Sequence, residues 1–205
     1  MSMNSYLSSF KSIRGIGMGV GVLIPAFSFF VGLAPPLLPK TGLIASAFAA
    51  ASIVIVYYFK PKPSGRSSRL PKLVKLAVTV LLLSVAILVI YLFLLEWCTV
   101  VQPEDEGSRL QIGFGRAQWS LTEKGRQLKM EHSGQTIVEW MLRTGAFGDK
   151  GPEIIWEPWA IYLSGCVMIV AFIAMFVLWT VGWALLAKQK ATKSISSSSK
   201  KLKDA

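Results

Sequence analysis

The chain holds one histidine, His132, and two cysteines, Cys98 and Cys166, among its 205 residues. Catalysis needs a nucleophile, a base and a charge stabiliser converging in one place. His132 stands in a charged stretch, next to Glu131, and reads as a solvated surface residue. No Cys and His cluster offers metal-ligand spacing, and no G-x-x-x-x-G-K motif is present. Ser28 and Ser84 lie in apolar runs with no base beside them. Gly113-Phe114-Gly115 is too short for a phosphate loop. Glu104, Asp105 and Glu106 are adjacent acids without Gly or Asn at calcium-loop spacing, which reads as a solvated turn. The expectation is a non-enzyme with no catalytic, cofactor-binding or metal-binding residue.

The elements that carry these residues are dominated by apolar runs. Hydrophobic residues make up 53% of the chain and charged residues only 16%, with a mean hydropathy of +0.52. Soluble domains usually carry about 25% charge. A helix needs ~20 apolar residues to cross the ~30 Å hydrocarbon layer. Four segments meet that test, none holding Asp, Glu, Lys, Arg or His: residues 15–33, 43–59, 76–95 and 159–187. Unbroken runs suit helices, not the alternating strands of a barrel. The fold class expected is an all-α integral membrane protein with four transmembrane helices and a small extracytosolic α/β loop region between helices 3 and 4. A cleaved signal peptide is the alternative for the first run, since Lys11 and Arg14 precede it. Its length, and Pro35 and Pro36 after the small-residue site, argue for retention.

Basic residues in short flanking loops stay cytosolic. Residues 1–14 carry Lys11 and Arg14; residues 60–75 carry Lys60, Lys62, Arg66, Arg69, Lys72 and Lys75; residues 188–205 carry six lysines and Asp204. This side holds 14 basic residues against one acid, a net of +13. Residues 34–42 and 96–158 hold 8 basic against 10 acidic residues, a net of −2, and the two sides account for the formal +11. Both termini are therefore expected in the cytosol. The basic loop is expected to contact anionic lipid through its six cations, and residues 188–205 to form a disordered tail. Topology explains the basic pI without direct nucleic-acid binding. In a eukaryote, Lys201 and Lys203 would match a dilysine retrieval signal.

Trp97, Trp156 and Trp159 fall at the outer boundary and Trp179 and Trp183 near the inner one, as interface anchors do. Gly15, Gly17, Gly19 and Gly21 form two overlapping small-x-x-x-small pairs, suited to close helix packing within one subunit or between copies. Ala45, Ser46, Ala49, Ala50 and Ser52 repeat the theme in the second run. Pro25 should kink the first. The third and fourth runs look more lipid-facing.

Residues 96–158 form the sizeable soluble part, small enough that a lone core is marginal without staples. Cys98 and Cys166 differ in depth, so no disulfide is expected. The loop is expected to lean on the membrane or a partner. Residues 110–119 suggest a strand or hairpin around Gly113 and Gly115. Ser120 with Glu123 and Thr136 with Glu139 each fit a capping box. Ile137, Trp140, Met141 and Thr144 share one face, resting on headgroups or a neighbouring subunit, or else packing in the loop's own core.

Function follows by exclusion. Coupled transporters carry ionisable groups inside the membrane, and none of the four runs does. No inverted repeat is evident. What remains is a non-catalytic multi-pass protein acting as an oligomeric sensor or anchor subunit. A homo-oligomeric pore lined by the Gly and Ser faces of the first two runs, or an endoplasmic-reticulum tetraspan, are the alternatives. In size, four predicted spans and membrane layout the chain resembles the KwaA membrane subunits of the Kiwa anti-phage system. The resemblance covers the outline of the whole chain and no diagnostic motif, so no functional residue carries over. It implies a bacterial inner-membrane oligomer in antiviral defence. Its partners would be the lipid bilayer, its own copies and a cytosolic effector, the DNA-binding KwaB.

Overall fold

A computed structural model describes residues 16–26, 34–36, 40–58, 69–101, 109–147 and 151–201, with backbone alone at 57, 69–73 and 188–201. These residues are mostly helical. In chain order they form α1 (Ile16–Ala26), α2 (Thr41–Tyr58), α3 (Arg69–Trp97), β1 (Thr99–Val101) and β2 (Arg109–Gln111). A 3-10 turn (Gln118–Ser120) follows, then α4 (Glu123–Glu131), α5 (Ile137–Thr144), α6 (Pro152–Ile155) and α7 (Pro158–Lys201).

Two helices, over Val74–Cys98 and Pro158–Ala187, are long and apolar enough to cross a membrane. Ile16–Ala26 and Thr41–Val56 are shorter apolar helices. α1 at both ends, and α2 at its C-terminal end, adjoin residues that lie outside the described ones. Among the described residues, two of the four expected crossings meet the length and composition requirement. Only 17% of the most apolar stretch of α3 is buried, so α3 is not the enclosed core helix of a soluble domain. Both long helices carry a proline in the first turn, where the missing N–H is tolerated: Pro71, the third residue of α3, and Pro158, the first of α7.

The chain divides into two compact units. The first comprises Met1–Ala26, Leu43–Ile87 and Ile173–Ala205. In it, α7 is the helix against which the others pack. A Cβ on Gly17 would stand 2.6 Å from Trp183 Cδ2, and one on Gly21 would collide with Thr180. Ser52 Oγ of α2 lies 3.0 Å from Thr180 Oγ1, with Ala45 and Ala49 fully buried on the same face of α2. Gly182 admits Leu81 of α3. Gly17 and Gly21 of α1 and Ala45, Ala49 and Ser52 of α2 are thus used inside one subunit. Gly19 meets nothing within 4 Å. Pro25 is fully buried in the last described turn of α1, so the expected kink cannot be followed into residues 27–33, which lie outside the described residues, as does Gly15.

The second unit comprises Phe27–Gly42 and Leu88–Phe172. Its core is formed by Val100, Ile112, Leu121, Trp140, Met141, Ala146, Ile155, Trp156 and Ile161. β1 and β2 pair antiparallel, Val100 opposite Leu110, and a bridge joins Leu121 to Trp156. Thr136 and Glu139 make the capping box of α5 in both directions. Gly145, at φ 66°, ends that helix, and Ala146 N donates to Met141 O across 2.8 Å in a Schellman pattern. The described residues between Thr99 and Glu157, the interhelical module, thus share one core, to which α7 adds Ile161. Trp140 and Met141 on the apolar face of α5 turn into it, the core-packing alternative of the two weighed above.

Candidate functional site

Among the described residues, those with catalytic potential do not converge. His132 caps the C-terminal end of α4, partly exposed, with Nε2 3.4 Å from Arg143 Nη1. Cys98 is buried at the end of α3 and Cys166 is exposed on α7; both are free thiols. Among the described residues no group of three or more His, Cys, Asp or Glu could hold a metal ion. Ser84 is buried, its hydroxyl donating to Leu81 O of its own helix at 2.9 Å. Glu104, Asp105 and Glu106 lie outside the described residues, as does Ser28.

What the fold does assemble is a polar seat where the module meets α3 and α7. β2 places Gln111 inward, 6% exposed. Its Nε2 lies 2.8 Å from Ser164 Oγ of α7, 3.1 Å from Cys98 O at the end of α3 and 3.2 Å from Ile112 O. Ser164 Oγ in turn lies 2.7 Å from Ile112 O and 2.9 Å from Ile161 O, with one proton to give. Ile112 N donates to Cys98 O at 2.9 Å, so the ladder of β1 and β2 runs directly onto the last turn of α3. Arg109 Nη1 donates to Thr99 Oγ1 at 3.1 Å and stands 3.8 Å from the exposed Glu96. The carbonyl oxygen of the Gln111 amide has no hydrogen-bond partner. The amide orientation is nevertheless fixed, because its reverse would aim an oxygen at two carbonyls.

A second set of ties holds the module together. Trp156 Nε1 donates to Gly115 O at 2.7 Å. Its ring fills the space left by Gly113, where a Cβ would stand 2.5 Å from Cδ1. Gly115, at φ +53°, lies against the indole of Trp97. Thr122 caps α4, accepting from Gly125 N at 3.1 Å, and Gly125 permits the backbone of Ile155 to press on that helix. Arg116 lies 5.2 Å over the Trp140 ring and donates to the carbonyls of Ser133 and Gln135.

The tryptophans assigned to interface anchoring separate into three kinds of place. Trp97 and Trp159 are about half exposed at the ends of the two long apolar helices. Trp156 is fully enclosed in the module core. Trp179 and Trp183 contact each other at 6.0 Å and pack on α1, Trp179 Nε1 donating to Gly17 O at 3.0 Å. Trp119, absent from the sequence-based set, is 56% exposed and stacks on Trp159 at 5.7 Å. Its position between polar residues gave no hydropathy signal. Of the six cations assigned to lipid contact, Lys75 is exposed, Arg69 and Lys72 have backbone alone, and Lys60, Lys62 and Arg66 lie outside the described residues.

α7 buries one face and leaves another exposed, with Tyr162, Leu163 and Val170 on the exposed side. Ser164, Met168, Phe172, Met175, Thr180 and Ala184 are buried along it at spacings of three to five residues, and Phe172 meets Tyr91 of α3 at 5.4 Å. α3 keeps the apolar exposure expected of it, with Leu82 66% and Phe93 72% exposed. Set against family models, curated proteins and solved structures, the chain matches none of them.

Proposed function

We propose that this chain is a non-catalytic multi-pass membrane protein, an anchor or sensor subunit that presents the interhelical module on the extracytosolic side and basic segments to the cytosol. One observation carries the reading: α3 keeps an exposed apolar flank from Leu76 to Phe93, beside a module with an enclosed core. Such a flank is stable in lipid and unfavourable in water, where each exposed Å² of apolar surface costs about 25 cal/mol. The seat of Gln111 on Ser164 and Cys98 supports the sensing part, since it ties the module's strands to both long helices. The crossings by α1 and α2, self-association and a cytosolic effector complete the proposal. A role in antiviral defence rests on the layout shared with the KwaA membrane subunits.

The pore alternative has less support. Gly17, Gly21 and Ser52, the small faces that would line a path, are occupied by Trp183 and Thr180 of the same subunit.

Topology is the test. An epitope inserted at Gly134, which is exposed with open space around it, becomes accessible to antibody only from the extracytosolic side, whereas a fluorescent protein fused after Ala205 folds in the cytosol. An epitope reached only from the cytosol would overturn the orientation. Extraction of the protein by alkaline carbonate would overturn the membrane assignment itself.

A further inference from the structure

The module's aromatic edge has no role in its core. Phe114 and Trp119 meet at 4.9 Å, and Trp119 stacks on Trp159 at 5.7 Å with 26° between the rings. Trp159 is the second residue of Pro158–Ala187, the apolar stretch of α7. Below it, Tyr162, Leu163 and Val170 are exposed and continue the same helix face at three-, four- and eleven-residue offsets. The stack therefore sits at the top of the exposed apolar stripe of α7. On the α3 side, Gly115 lies against Trp97, the last residue of that helix, so residues 113–119 are held against the ends of both long helices.

We propose that Phe114 and Trp119, with Trp97 and Trp159, form a docking surface for the bilayer itself, seating the module in the headgroup layer of the extracytosolic leaflet. The proposal rests on the membrane reading above. Indole rings favour that depth because their apolar body and polar N–H match its two sides. A ring stacked on Trp159 shares the depth at which α7 enters lipid. The module is then a peripheral membrane element as well as a loop, and its seat fixes the height of Gln111 and Arg109 relative to the bilayer.

Spin labels at single cysteines test this in full-length protein reconstituted into phosphatidylcholine and phosphatidylglycerol vesicles, on a background in which both native cysteines are replaced, Cys98→Ala and Cys166→Ser. Trp119→Cys is the test site. Leu163→Cys, on the exposed stripe of α7, is the lipid reference, and Met130→Cys, 75% exposed on α4, is the water reference. The label at 119 should collide with oxygen in preference to a water-soluble nickel chelate, as at 163, with a ratio several-fold above that at 130. A ratio matching position 130 while 163 remains lipid-like overturns the docking and leaves the membrane reading standing. Water-like ratios at both 119 and 163 overturn both. Exclusion of both reagents at 119 with dipolar broadening places a second copy on the surface and also overturns the docking.

Discussion

Gln111 and Ser164 are 53 positions apart in the chain, yet the amide nitrogen of one lies 2.8 Å from the hydroxyl of the other. This contact joins a two-stranded ladder to a membrane-length helix at a buried position. Removing either partner leaves buried carbonyls of Cys98 or Ile112 with fewer donors. Gln111→Ala or Ser164→Ala should each destabilise the module by about 1–3 kcal/mol, the cost of unsatisfied buried polar groups. Because the residues share partners, the double variant should lose less than the sum of the two. Hydrogen exchange of residues 99–101 and 109–112 in detergent reads this; unchanged protection in both single variants would show that the seat does not hold the strands.

Trp156 and Gly113 predict a second asymmetry. Trp156→Phe keeps most of the ring volume but removes the donor to Gly115 O, a loss of about 1 kcal/mol. Trp156→Ala opens the centre of the core and should cost about 3–5 kcal/mol. Thermal unfolding followed by near-ultraviolet circular dichroism separates them. Equal, small effects would place Trp156 on a lipid surface, as its position beside the fourth apolar run first suggested.

Those residues show where sequence was informative and where it was not. Apolar runs at 76–95 and 159–187 located α3 and α7, but both helices extend beyond them, because backbone hydrogen bonding continues past the last apolar side chain. The capping box at Thr136 was legible because both partners lie within four residues. The Ser120 box was not: Ser120 enters a 3-10 turn, donating its hydroxyl to Ala117 O at 2.7 Å, and Thr122 takes over as cap. Gly113 and Gly115 read as turn residues, but their larger role is to make room for Trp156 and Trp97, partners that no local pattern specifies. The interior of the module was illegible for the same reason. Its apolar residues are scattered over short elements, and only the tertiary fold turns them to one centre.

The capping box of α5 gives a local prediction. Thr136→Ala removes the acceptor for Glu139 N and should cost about 0.5–2 kcal/mol. Because α5 carries Trp140 and Met141 into the core, the loss should appear as reduced melting temperature of the whole module instead of fraying at one helix end. Thr136→Ser, which keeps the oxygen, should restore most of it.

The glycines of α1 separate packing within a subunit from packing between copies. Gly17→Leu must displace Trp183, and should lower the yield of folded monomer in detergent. Gly19→Leu meets open space and leaves the subunit intact. If copies associate through α1, the face carrying Gly19 is the one available, and Gly19→Leu should shift the particle mass measured by light scattering toward monomer. A self-associated state that survives Gly19→Leu would move the contact to another helix, with the exposed flank of α3 next to be tested through Leu82→Trp. A wild-type protein already monomeric across the detergent dilution series would remove oligomerisation from the proposal and leave the anchor role alone.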